Sequence, residues 1–191
     1  MDFMDINQLI ASRVLALRNA RGLSLAALAE RSGVSRSNIS LIERGESSAT
    51  ATVLDKLAGA LGVTLASLFA AEAAAPSPLS TRAQQPVWTD PASGYTRRQL
   101  SPGVRSPLQL VEVVFPPGRR VSYDQPTRSA DIYQQLWLLE GRLAVTAGEQ
   151  QWQLLAGDCV AFREDQHIAY ENPGAVPARY LVGLVTLPFA L

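Results

Sequence analysis

The chain has almost no cysteine, histidine or lysine. One cysteine, Cys159, one histidine, His167, and one lysine, Lys56, stand among 191 residues. A lone cysteine excludes an intramolecular disulfide and fits a reducing, cytoplasmic setting; Cys159 itself reads as a small core residue. Because His167 and Cys159 are the only members of their types, no Ser/His/Asp or Cys/His combination can be assembled from recognisable parts. No phosphate-cradling glycine loop occurs either. No run of about 18 apolar residues suggests a membrane span, and no basic-then-apolar leader suggests export. Excess charge is missing as well, with 17 Lys/Arg against 17 Asp/Glu.

What is present is a globular composition, 47% hydrophobic, in a length that suits one large domain or two small ones. The densest pattern is Ser24 to Arg44. Ser24 is placed to cap a helix from about Leu25 to Ser32, with Leu25, Leu28 and Ala29 at helical spacing. Gly33 can take positive φ, Val34 plugs the turn, and Ser35 can cap a second helix from about Arg36 to Arg44. Ile39 and Ile42 would point inward together. Arg36, Ser37, Asn38 and Ser40 lie on the other side. Two helices so joined form a helix-turn-helix, and Arg and Asn are the side chains that bond guanine and adenine edges in a major groove.

The stretch resembles the phage-repressor (Xre-like) helix-turn-helix family over about residues 7–70. The resemblance is carried by Leu28-Ala29-Glu30, Gly33-Val34-Ser35, Ile39, Ile42-Glu43-Arg44-Gly45 and Leu57-Ala60-Leu61-Gly62-Val63. It implies a five-helix all-α unit that binds double-stranded DNA. It also implies that Arg18 pairs with Glu43 inside the unit, while Arg13 faces the DNA backbone. Arg36 and Asn38 are then the candidates for base edges, with Arg13, Ser24, Ser35, Ser37, Ser40 and Arg44 for phosphate or groove contacts. Leu25 stands where many relatives have Gln, so the sequence specificity of those relatives does not carry over. Residues 1–70 hold seven Lys/Arg against six Asp/Glu. So little net charge neutralises few phosphates, which argues for two copies on an inverted repeat, that is, a homodimer.

Helical spacing also predicts a first helix over Ile6 to Ala20, a fourth capped by Thr50 or Thr52, and a last short one after Thr64. Residues 71–86, rich in Ala, Pro and Ser, read as a linker. From Val87 onward, eight short β-like runs fall between Pro/Gly breaks. They are Tyr95–Leu100, Gln109–Phe115, Tyr133–Leu139, Leu143–Ala147, Gln151–Leu155, Cys159–Phe162, Ile168–Glu171 and Arg179–Leu184. Such a series predicts an antiparallel sandwich or barrel over 87–191.

Pro117-Gly118, Leu138-Leu139-Glu140-Gly141, Gly157-Asp158 and Asn172-Pro173-Gly174 resemble the turns of the cupins, which are small jelly-roll barrels. Many cupins hold a transition metal through three His and a Glu. By this resemblance those positions are Asp124, Pro126, Gln134 and Ile168, and His167 is one residue out of register. A one-residue offset turns a strand side chain to the opposite face, so no metal or other cofactor is expected. The barrel mouth then suits a small organic effector, with Arg120, Tyr123, Asp124, Gln134, Leu136, Ile168 and Tyr170 as candidates. Trp137 is expected to face outward, where it can join a dimer contact. The resulting expectation is a transcriptional regulator rather than an enzyme. A cupin-type enzyme and an antitoxin with a protein partner are the alternatives.

Overall fold

Four side-chain caps start the four α-helices. Asp5 accepts from the Asn7 amide at 3.1 Å and opens α1, Ile6–Ala20. Ser24 accepts from the Ala27 amide at 3.1 Å and opens α2, Leu25–Ser32. Gly33 ends α2 in the left-handed conformation, φ 67°, which glycine adopts without strain. Ser35 opens α3, Arg36–Glu43, and Thr50 opens α4, Ala51–Ala60. The structure is a computed structural model that describes residues 5–69, 77–124 and 131–187. The fifth predicted helix is a 3-10 turn, Leu65–Phe69, capped by the Thr64 hydroxyl. Five residues complete little more than one turn, and i→i+3 bonds tighten so short a segment. Ile10, Val14, Leu28, Ile39, Ile42, Leu54, Leu57, Leu61 and Leu68 close the core of this head.

All eight expected strands form, and two short ones join them. The set is β1 Val87–Thr89, β2 Thr96–Gln99, β3 Leu108–Phe115, β4 Arg120–Tyr123, β5 Asp131–Glu140, β6 Arg142–Ala147, β7 Gln150–Leu155, β8 Cys159–Arg163, β9 Ile168–Glu171 and β10 Ala178–Leu187. They build two antiparallel sheets, ordered β1-β2-β3-β10-β5-β8 and β4-β9-β6-β7. This is a double-sheet jelly roll with β1 and β2 added at one edge, rather than a closed barrel. Gly141 makes the β5–β6 turn possible. At φ 83° a side chain there would be strained, and its Cβ would lie 2.7 Å from the Pro177 carbonyl oxygen. Along β5 the alternation is as expected: Gln134, Leu136 and Leu138 are buried, while Trp137 is 49% exposed. Cys159 departs from expectation, being exposed rather than in the core. The alternation of β8 turns its neighbours Val160 and Phe162 inward instead.

Head and sheets meet over a joint stitched by polar side chains. Asp90, buried in the turn after β1, accepts from the Ala51 amide at 2.9 Å through Oδ1. A carboxylate from the sheet region thus caps the positive end of α4. Its Oδ2 accepts from the Ser93 amide at 2.8 Å and the Ser93 hydroxyl at 2.5 Å, so both carboxylate oxygens are hydrogen-bonded. Thr64 donates to Gln109 Oε1 at 3.0 Å, and the rings of Phe69 and Trp88 lie 5.4 Å apart. Buried residues of the head and of the sheets form one continuous cluster. Part of the segment expected as a linker, 71–76, lies outside the described residues; the rest, Ser77 to Pro86, is mostly exposed.

Candidate functional site

The polar edge of α3 faces solvent. The contacts between head and sheets run through α4 and the 3-10 turn, which leaves Arg36 and Ser37 exposed and Asn38 and Ser40 half-buried. Ser35 caps α3 and shares a 3.2 Å hydroxyl contact with Ser37. Ser24 is exposed at the start of α2. Leu41, one turn beyond Ser37, is also exposed. Sequence reasoning passed over it because an apolar residue on a short helix reads as core. An apolar side chain on a recognition edge can meet a thymine methyl group.

Beneath that edge, Arg18 of α1 forks onto Glu43 of α3, Nε to Oε1 at 2.6 Å and Nη2 to Oε2 at 2.9 Å. Its Nη1 donates to the Leu23 carbonyl at 2.8 Å, so the guanidinium is held on both sides. Arg13, expected on the DNA backbone, is half-buried and donates to the Ser67 carbonyl at 3.3 Å. Arg44 donates to Ser40 Oγ at 2.5 Å and pairs with Glu46 at 2.8 Å, both partners being half in solvent. Two of the candidate DNA contacts are thus already tied to each other and to a carboxylate.

A second site lies between the sheets, at the joint with the head. The cavity measures about 70 Å³ for the centres of water molecules, and its wall includes Asp55, Thr64, Leu65 and Ala66 of the head. Of the expected effector residues it gathers Tyr123, Asp124, Gln134, Ile168 and Tyr170. Leu136 is buried but is not part of its wall, and Arg120 stands outside, exposed and 3.6 Å from Glu171. Gln134 donates to the Tyr170 hydroxyl at 2.5 Å, and the hydroxyls of Tyr95 and Tyr123 lie 3.1 Å apart. Burial pushes the Tyr95 phenol up to about 12, and raises Tyr170 and Tyr180 as well. At neutral pH these are neutral O–H groups, able to donate but not to act as bases.

Sequence reasoning missed Arg97 in the cavity wall, together with Asp55, Tyr95, Glu164 and Tyr180. In the run Thr96-Arg97-Arg98-Gln99 the two arginines look alike. Register separates them: Arg97 lies opposite Val113 and Arg98 opposite Glu112 on β3. Cross-strand partners share a face, so Arg97 enters the interior with Val113, while Arg98 pairs outside with Glu112 at 3.4 Å. The donor set a cupin metal would need is absent from these positions. Gln134 spends its amide on Tyr170, Ile168 is apolar, Pro126 lies outside the described residues, and His167 is exposed just before β9. Among the described residues no cluster of three His, Cys, Asp or Glu could hold a metal ion. No described helix is long and apolar enough to cross a membrane.

On the outer face of the larger sheet, Leu108, Leu110, Tyr133 and Trp137 are exposed around Gly183 of β10.

Comparison with known proteins agrees with the head's geometry. Residues 14–68 match the helix-turn-helix family HTH_3. Control protein C.SmaI of Serratia marcescens is 40% identical over 67 residues, 35% of this chain and 80% of that protein. The uncharacterized HTH-type transcriptional regulator y4dJ of Sinorhizobium fredii is 40% identical over 60 residues, 31% of this chain and 78% of that protein. The crystal structure of an HTH_3 family transcriptional regulator from Vibrio cholerae superposes with a TM-score of 0.74 at 25% identity, over 94% of this chain and 96% of that one. A capped α2–Gly33–α3 turn, an exposed polar edge and these relatives together place the chain in the helix-turn-helix family HTH_3, a family of transcriptional regulators.

Proposed function

We propose that the protein is a sequence-specific, double-stranded-DNA-binding regulator that works in the cytoplasm as a homodimer and responds to a small organic effector. The observation that carries the reading is the Arg36–Ser37–Asn38 edge, exposed at Arg36 and Ser37 and half-buried at Asn38, on a helix whose other side is locked into the head. Arg36 and Asn38 read base edges, and Leu41 adds apolar contact. Ser24, Ser35, Ser37, Ser40 and Arg44 position the backbone, and Arg13 stays with them only if it releases Ser67. The apolar outer face around Trp137 supports pairing of two sandwiches, which would fix the spacing of two recognition helices. The division into a head (1–70), a linker (71–86) and a sensing unit (87–191) is part of the same reading.

Selection of bound fragments from random DNA tests it, run on wild type and Arg36→Ala. Wild type is expected to enrich an inverted repeat. The variant should lose about 1–3 kcal/mol of discrimination at one base position in each half-site, with its melting temperature unchanged. Enrichment of a lone half-site would remove the dimer. No enrichment, even at low salt, would remove the DNA-binding reading.

A further inference from the structure

The cavity contains a buried cation with unused donors. Arg97 is 8% exposed, and its Nε and Nη2 have no hydrogen-bond partner among the described residues. The face of its guanidinium lies over the Phe69 ring, whose centroid is 5.4 Å from Cζ. Nearly all buried polar groups find partners, and a buried charge left unpaired is costly to keep. Nε and Nη2 are adjacent on one edge of the guanidinium, and their two parallel N–H bonds match the two oxygens of a carboxylate. The wall around them adds neutral phenol donors and apolar surface.

Two further features narrow the ligand. Asp55 and Glu164, which line the same cavity, have partners of their own and bring no positive charge to it, so the single cation Arg97 suits a monoanion better than a phosphate dianion. The volume accommodates on the order of five to seven water-sized atoms. We propose that the cavity binds a small organic monocarboxylate of three to five carbons, held bidentately by Nε and Nη2 of Arg97. This rests on the effector-sensing reading above and gives that effector a chemical class. It also gives the signal a route. Phe69 belongs to the 3-10 turn of the head, so a carboxylate that neutralises Arg97 in the plane of the guanidinium weakens the cation–π contact its face makes with the head.

The test uses the full chain, with butyrate, 2-aminobutyrate, butyramide and inorganic phosphate as probes in calorimetric titrations and thermal melts. Butyrate or 2-aminobutyrate is expected to saturate at one per chain and raise the melting temperature, while butyramide and phosphate do neither. Preference for butyrate identifies plain carboxylates; preference for 2-aminobutyrate identifies amino acids. Arg97→Met should weaken the preferred probe at least tenfold. It should melt no lower than wild type without ligand, because it removes an unpaired buried charge. Equal binding to wild type and Arg97→Met, equal binding of butyramide, or no binding of either carboxylate would overturn the proposal. DNA affinity with saturating probe is read separately. If the probe binds through Arg97 and DNA affinity does not move, the ligand assignment stands and the effector reading falls.

Discussion

The head and the sandwich each bury an arginine, and the two are treated in opposite ways. Arg18 lies between α1 and α3 with all three guanidinium nitrogens engaged, by both Glu43 oxygens and the Leu23 carbonyl. Arg97 lies between the sheets with Nε and Nη2 unengaged and a single ring beneath it. A satisfied buried charge fixes geometry: it holds the helix that presents Arg36 and Asn38 at one angle to the rest of the head. An unsatisfied one stores a demand for a partner. A DNA-reading edge must be rigid before it meets its target, whereas a sensing cavity must be incomplete until its ligand arrives.

The largest effect that breaks this comparison comes from Arg18→Ala. It leaves Glu43, whose side chain is 7% exposed, without a partner. The loss expected in urea unfolding is about 3 kcal/mol, the low end for buried pairs because Arg18 keeps some contact with solvent. Arg97→Met, made at a site of similar burial, is expected to cost nothing. If both substitutions destabilise the protein equally, Arg97 is as well paired as Arg18 and the distinction between the two regions disappears.

A smaller effect concerns pH and is confined to the cavity. Burial holds the folded-state Tyr95 phenol at about 12, above the ordinary value near 10. Its contribution is therefore fully present below pH 10 and is lost as pH rises through 12, as the unfolded chain ionises first. For this residue alone the loss is on the order of 2–3 kcal/mol. Tyr95→Phe, which also gives up the contact with Tyr123, should be less stable than wild type at pH 8 and close to it at pH 11.5. The Arg18–Glu43 pair contributes nothing to this alkaline loss, because the bond to Glu43 raises the guanidinium pKa further beyond the range.

These differences also decide what could be read from the chain. The head is written in local signals. Ser24, Gly33, Ser35 and Thr50 act within four residues of themselves, so caps, turn and helices follow from spacing alone. The strands are similarly local, and all eight expected ones form. The cavity is not. Its wall joins β2, β3, β5, β9 and β10 to α4 and the 3-10 turn, and Arg97 is told from Arg98 only by its register against β3. Arg120 was a reasonable candidate by nearness to Tyr123 in sequence. On β4 it lies three residues from Tyr123, so strand alternation gives it the opposite face, beside Glu171. Lys56 and Asp124, 3.5 Å apart across the joint, belong to the same class of long-range contact that spacing does not reveal.

The smallest expected effect sharpens the comparison at the surface of the head. Arg44, a candidate phosphate contact, carries its own carboxylate, Glu46 at 2.8 Å, and both are about half exposed. Exposed pairs contribute little to stability, so Glu46→Gln should leave the unfolding midpoint unchanged. It should nevertheless release Arg44 from an intramolecular competitor for phosphate. The slope of log affinity for DNA against log salt is then expected to steepen by up to about one, with the preferred sequence unaltered. A fluorescence-anisotropy titration at four salt concentrations measures it. An unchanged slope would mean that Arg44 spends its charge within the head, as Arg18 does, and that the reading edge ends at Leu41.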